Sequence, residues 1–198
     1  MNKQFKRSRN LVFIVMAMSF VPFVVAWIYS LNPHWVSGTT NRGELIIPPV
    51  TTERNQLAGI DSFSVENLFE LNGHWVMVNM IPGDSCNEVC REALYKTRQL
   101  RLMMSKDLTR IRRVVLISDR MDPDSLTAWW KEDSRMIRVR ADQKLNEELV
   151  KIVGGEVQDG MLILMDPLGN LMMIYQPGFD PYDVKSDMKK LLNISQIG

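Results

Sequence analysis

The sequence predicts an α/β domain, a central mixed sheet flanked by helices, carried behind one membrane-spanning helix. Three observations predict it. A charge-free apolar stretch, Leu11 to Leu31, follows a basic N-terminus. Two buried-strand runs, HWVMVNM (74–80) and RVVLIS (113–118), enclose a helical segment, and a hairpin signal comes late in the chain. The only two cysteines, Cys86 and Cys90, stand four positions apart just after the first of those strands.

The 198 residues are 45% hydrophobic and 24% charged, a globular composition with room for one domain and extras. A net charge of +1 gives no electrostatic case for nucleic acid as a partner. No Walker loop, zinc ribbon or dinucleotide-binding glycine pattern is present. Four of the basic residues, Lys3, Lys6, Arg7 and Arg9, crowd into residues 1–10, which leaves the rest of the chain near −3. Residues 1–10 therefore read as a cytoplasmic basic tip and residues 11–31 as a transmembrane anchor, since 21 helical residues span about 30 Å. A cleaved signal would have a shorter apolar core and a small-x-small site; AWIYSLNPHW offers none. Trp27, Tyr29 and Trp35 instead resemble an interfacial belt. With the positive end inside, the expectation is a single-pass protein of a bacterial inner membrane whose C-terminal domain faces the periplasm. That compartment permits disulfides.

Residues 32–60 carry three prolines and read as a linker or extended arm, with the folded domain at 61–195. HWVMVNM is nearly continuous in apolar character, as a strand buried on both faces requires. From about Cys86 to Lys106 the spacing of Cys86, Cys90, Ala93, Thr97, Leu100 and Met104 predicts a helix with one buried face. RVVLIS is a second buried strand, so the connection is a parallel right-handed crossover. Asp122-Pro123-Asp124 then opens a short helix through LTAWWKED, and MIRVR (136–140) alternates as a weaker strand. QKLNEELVKIVGG (143–155) is a helix closed by Gly154. MLILM (161–165) and LMMIY (171–175) flank the turn DPLGN, and DPYDVKSDMKKLLN (180–193) is a final helix with Pro181 in its first turn.

A βαβ half followed by a ββα half, with a cysteine pair after the first central strand, is the thioredoxin plan. The carboxyl end of a parallel strand is also where α/β sheets carry their sites. Thiols at i and i+4 at a helix start can close a disulfide, and the helix dipole favours a thiolate there. Two soft thiolates can also hold Cu(I). A purely stapling role is disfavoured, because so short a loop removes little unfolded-state entropy. Asp84 could tune the thiols or cap the helix. The strand methionines Met77, Met161, Met165, Met172 and Met173, with Met103 and Met104, read as core. Trp129-Trp130 reads as packing, and Arg110, Arg112 and Arg113 as a solvated face.

GHWVMVNMIPGDSCNEVC, RVVLISDRMDPDS and GMLILMDPLGNLMMIYQPG together resemble the Sco/SenC family, from about Asp61 to Leu192. These are membrane-anchored thioredoxin-fold proteins that help build the copper centre of cytochrome c oxidase. Two departures stand out. Asn87 and Arg91 replace prolines around the cysteines. The family's copper-ligand histidine, which precedes the hairpin, falls on or near Gln158; the only histidines, His34 and His74, lie elsewhere. A thioredoxin-type reductase would have a proline here, and Asp159-Gly160-Met161 lacks it. The resemblance implies an accessory protein of oxidase biogenesis, with oxidase subunits or other assembly factors as partners. The expected chemistry is thiol–disulfide handling, Cys86 as the more exposed attacking thiol and Cys90 as its resolving partner. One alternative is Cu(I) transfer through Cys86 and Cys90, copper being the one candidate cofactor. The other is a scaffold that binds oxidase subunits without chemistry.

Overall fold

The computed structural model describes residues 3–32, 40–122 and 133–195. Two compact units divide at Thr40. The first contains helix α1, Lys3–Leu31, whose segment Val12–Leu31 is 20 residues long with a mean hydropathy of 2.3. It is a candidate membrane span: about 30 Å of apolar helix, with Phe13, Phe20, Phe23 and Trp27 exposed around it. Pro22 lies inside the helix, as prolines in membrane helices can. His34 and Trp35 lie outside the described residues.

The second unit is a mixed seven-stranded sheet flanked by helices. In chain order its elements are β1 (Glu44–Thr51), β2 (Leu57–Gly59), α2 (Ser62–Asn67), β3 (Trp75–Ile81), α3 (Glu88–Met103), β4 (Ile111–Ile117), β5 (Ile137–Ala141), α4 (Gln143–Val153), β6 (Leu162–Met165), β7 (Asn170–Tyr175) and α5 (Pro181–Ile194). The strand order is β1-β7-β6-β3-β4-β5-β2. β3, β4 and β5 run parallel, whereas β6 pairs antiparallel with β3 and with β7. This is the βαβ and ββα arrangement that the sequence predicts.

The strands sit where their side chains dictate. β3 is central and every residue of it is buried. β5 alternates buried and half-buried, as a strand with one packed face should. One sheet face packs Val76, Val78, Leu116, Val139 and Ile163 against Leu145 and Leu149 of α4. The other packs Met77, Leu162 and Leu164 against Leu100 of α3 and Val184 and Met188 of α5. Met161, Met165, Met173 and Met104 are buried, and Met103 and Met172 partly so, in line with a packing role. Asp142 caps α4 at its start and Gly154, with φ +70°, at its end.

Both outer strands come from the Pro-rich stretch 32–60, which carries the sheet back to Glu44, well ahead of Asp61. β1 pairs with β7 at Glu44–Leu45 and again at Val50–Thr51, with the register broken across the prolines between them. β2 pairs with β5.

Three sequence expectations need correction. The helix expected from Cys86 to Lys106 begins at Glu88 and ends at Met103. Ser105, with φ +47°, turns the chain into a 3-10 segment, Ser105–Arg110. Asn87, not Asp84, caps α3. The three arginines do not form a solvated face. β4 starts at Ile111, two residues earlier than expected, and Arg113 shares the buried face of Ile111. Arg113 is 4% exposed, pairs with Asp133 and donates to Leu94 O (2.8 Å) and Thr97 Oγ1 (3.0 Å). Arg112 pairs with Glu70, and Arg110 donates to Leu192 O and Ser195 O. The short helix expected after Asp122, with Trp129-Trp130, lies outside the described residues.

Candidate disulfide site

The site grows from the carboxyl end of β3. Pro82 and Gly83 take the chain off the sheet, and Ser118, just past β4, pins the loop: its hydroxyl donates to Gly83 O (2.6 Å) and its N–H to Ile81 O (3.0 Å). Cys86 follows in the loop, one residue before the cap of α3. Asn87 Oδ1 accepts the N–H of Cys90 at 2.9 Å, which fixes the first turn. Arg91 Nε donates to Cys86 O at 3.1 Å and holds the loop against the helix.

Cys86 and Cys90 form a disulfide with Cα atoms 5.4 Å apart, well inside the range such a bond needs. The pair was expected on one helical turn; instead Cys86 lies outside the helix and Cys90 in its first turn. Cys86 is 4% exposed and Cys90 1%, packed with Ile81, Leu94, Val115, Ile117, Met121 and Met136. Cys86 keeps the outer position by a small margin.

A loop distant in sequence completes the surround. Asp159 Oδ2 accepts from Asn87 Nδ2 at 2.8 Å, so the cap side chain links Cys90 to the segment before β6. Burial raises the pKa of Asp159; the Gly83 N–H opposes that shift and nearby Asp84 adds to it. Gly160, with φ +80°, lies so close to α3 that an added Cβ would stand 2.8 Å from Val89 Cγ1 and 2.9 Å from Val89 O. An open cleft of about 840 Å³ runs beside the pair, lined among others by Gly83, Asn87, Arg120, Gln158, Asp159 and Pro177.

Gln158 is thus in the wall of this cleft, exposed, but it is Asp159 that reaches the cap of α3. His74 stands before the other end of β3, its Nδ1 3.0 Å from Asn72 O, roughly 20 Å of strand from the cysteines. Among the described residues no cluster of three or more His, Cys, Asp or Glu side chains is placed to hold a metal ion. The two sulfurs, once reduced, are a donor set that fits a low-coordinate Cu(I). Sequence reasoning missed Asp159 and Arg91 as parts of the site. Asp159 lies 72 positions from Asn87, and nothing local marks the contact.

Fold and site together define a thioredoxin-like domain carrying a C-x-x-x-C disulfide at the start of its first crossover helix, after a candidate transmembrane helix in the chain. The chain belongs to the family described as transmembrane-like, thioredoxin-like, C-terminal domain, whose model matches residues 75–195. The solved structures similar to it include Sco proteins. Apo Sco1 from Thermus thermophilus matches at 14% identity and TM-score 0.55, over 78% of this chain and 99% of that one. Copper-bound ScoI from Arabidopsis thaliana matches at 15% identity and TM-score 0.50, over 64% and 89%. BsSco, a member of the Sco family of cytochrome c oxidase assembly proteins in which a disulfide switch was identified, matches at 13% identity and TM-score 0.50, over 80% and 99%. At these identities the likeness speaks for the fold. No curated protein sequence matches the chain.

Proposed function

We propose that this is a membrane-anchored, periplasm-facing accessory protein that handles thiols and disulfides through Cys86 and Cys90 and serves cytochrome c oxidase biogenesis. The observation that carries the reading is the disulfide itself, closed at the carboxyl end of β3 beside an open cleft. In the reduced form the α3 N-terminus favours a thiolate at Cys86. That thiolate attacks one sulfur of a partner disulfide, and the partner's other sulfur leaves as a thiolate. Cys90 then gives up its proton to solvent and attacks Cys86 Sγ. The Cys86–Cys90 bond closes, and the partner departs as a dithiol. A dithiol reductant must return the pair for the next cycle. The oxidase assignment draws on the Sco neighbours; a partner site left as a dithiol is one ready to receive copper.

Cu(I) transfer is the second reading, supported by the copper-bound state of the Arabidopsis neighbour and by the sulfur donor pair. A scaffold without chemistry is the third. Trapping separates them. Cys90→Ser, expressed in membranes, is expected to accumulate a mixed disulfide through Cys86 that a reductant releases, while Cys86→Ser accumulates far less. Alkylation that finds both thiols of the parent permanently reduced and unreactive in native membranes would defeat the redox reading. Retained capture of oxidase subunits by the double Cys→Ser variant, with no other loss, would favour the scaffold.

A further inference from the structure

At the far end of the parallel strands from the disulfide, a second pocket of about 410 Å³ opens between α2, α3 and the amino ends of β4 and β5. Four guanidinium groups line it, those of Arg101, Arg112, Arg113 and Arg135, against two carboxylates, Glu70 and Asp133. Both carboxylates are committed: Glu70 to Arg112 at 2.6 Å and Asp133 to Arg113. Among the described residues neither Arg101 nor Arg135 makes an ion pair. Arg101 uses only its Nε, on Ile111 O at 3.0 Å, and is half-buried. Burial, and then the charges of Arg112 and Arg135, lower its pKa. Asp133 and Glu70 oppose that shift, and among the described lining residues four guanidiniums against two carboxylates leave two units of positive charge for a ligand to balance.

We propose that this pocket binds a phosphate group. The planar fork of a guanidinium matches a phosphate in bidentate fashion, and Arg101 and Arg135 present two such forks with no carboxylate of their own. A cavity of this size exceeds what one inorganic phosphate fills, so the natural ligand carries its phosphate on a larger body. Two sources share this chemistry, a soluble phosphomonoester and a phospholipid headgroup.

The test uses the full chain in maltoside micelles, titrated calorimetrically with inorganic phosphate and with chloride at matched ionic strength. Saturable phosphate binding is expected, weakened about tenfold or more by Arg101→Gln and by Arg135→Gln. It should be unchanged by Lys189→Gln, which removes one exposed charge elsewhere. Arg135 is exposed, so its replacement leaves the core intact even if that of Arg101 does not. Repeating the titration in nanodiscs of phosphatidylcholine with and without phosphatidate separates the sources: a headgroup ligand lowers the apparent phosphate affinity when phosphatidate is present, and a soluble ligand does not. Absence of saturable binding, or equal weakening by Lys189→Gln and Arg135→Gln, would overturn the proposal.

Discussion

Single buried polar residues hold this fold at points where its elements meet. Asp187, on α5, is 2% exposed and accepts hydrogen bonds from the N–H groups of Arg42 (2.6 Å) and Gly43 (3.0 Å), from Tyr175 Oη (2.9 Å) and from Lys190 Nζ (3.3 Å). It thereby ties the entrance of β1 to the last helix. Burial pushes its carboxyl up, but the N–H groups of Gly43 and Arg42, with Tyr175 and Lys190, outweigh this and leave the pKa below the ordinary value. The same pairing, after burial, raises the pKa of Tyr175. A carboxyl depressed by folding adds stability above its unfolded pKa, about 4, and loses it as the pH falls through the lower folded value. Asp187→Asn is therefore expected to destabilise the domain by about 2–3 kcal/mol at pH 7, with one amide N–H facing donors it cannot satisfy. Urea denaturation of both proteins from pH 7 to pH 2 checks this: the gap should narrow below about pH 4. A gap that is constant over the range would deny Asp187 its role.

At the scale of elements, contacts between segments far apart in sequence shape the site. Gly160 lets the loop before β6 lie on the first turn of α3, and its positive φ suits no other residue as well. Gly160→Ala must push against the Val89 carbonyl, which belongs to the helix and cannot rotate away. It is expected to cost about 1–3 kcal/mol, a fall of roughly 3–8 °C in Tm, and to draw Asp159 off Asn87. Reduction of the Cys86–Cys90 disulfide by a small dithiol should then quicken. Gly155→Ala, whose added Cβ meets nothing within 4 Å, should leave both measurements unchanged. If the two variants reduce at the same rate, the loop does not shield the disulfide. The same distinction between local and distant explains what the sequence made legible. The fully buried run of β3, the hairpin β6–β7, the capped helices α4 and α5 and the position of the cysteine pair all follow from local pattern. β1 and β2 did not, because ELIIPPVT carries two prolines and LAG is three residues long; each becomes a strand only by pairing with β7 or β5. The burial of Arg113 is not a local signal either, since the groups that receive its guanidinium, Asp133, Leu94 O and Thr97 Oγ1, come from other segments of the folded chain. Asp159 could not be read at all, since its link to the cap of α3 exists only in the folded chain.

For the whole molecule, the proposed chemistry requires the domain to stand in an oxidising compartment, and the anchor decides which side that is. A disulfide in the cytosol would be kept reduced, so the Cys86–Cys90 bond and the orientation of α1 must agree. Lys3, Lys6, Arg7 and Arg9 all precede the span Val12–Leu31, and a positive flank stays on the cytoplasmic side. Under the proposed function, the domain that begins at Asn41 is therefore expected to be carried outward. Two reporters test this in living bacteria. Alkaline phosphatase fused after Gly198 folds only where its own disulfides form and should be active; β-galactosidase at the same point should not. Changing the four basic residues to Gln removes the bias without touching the apolar run, so phosphatase activity should fall while the protein remains in the membrane after alkaline extraction. N-terminal sequencing of the mature protein adds the remaining check, since an uncleaved anchor retains Lys3 through Leu31. Inactive phosphatase on the parent would place the cysteines in a reducing compartment and remove the basis for disulfide exchange. A mature chain beginning near residue 30 would leave the domain free of its anchor.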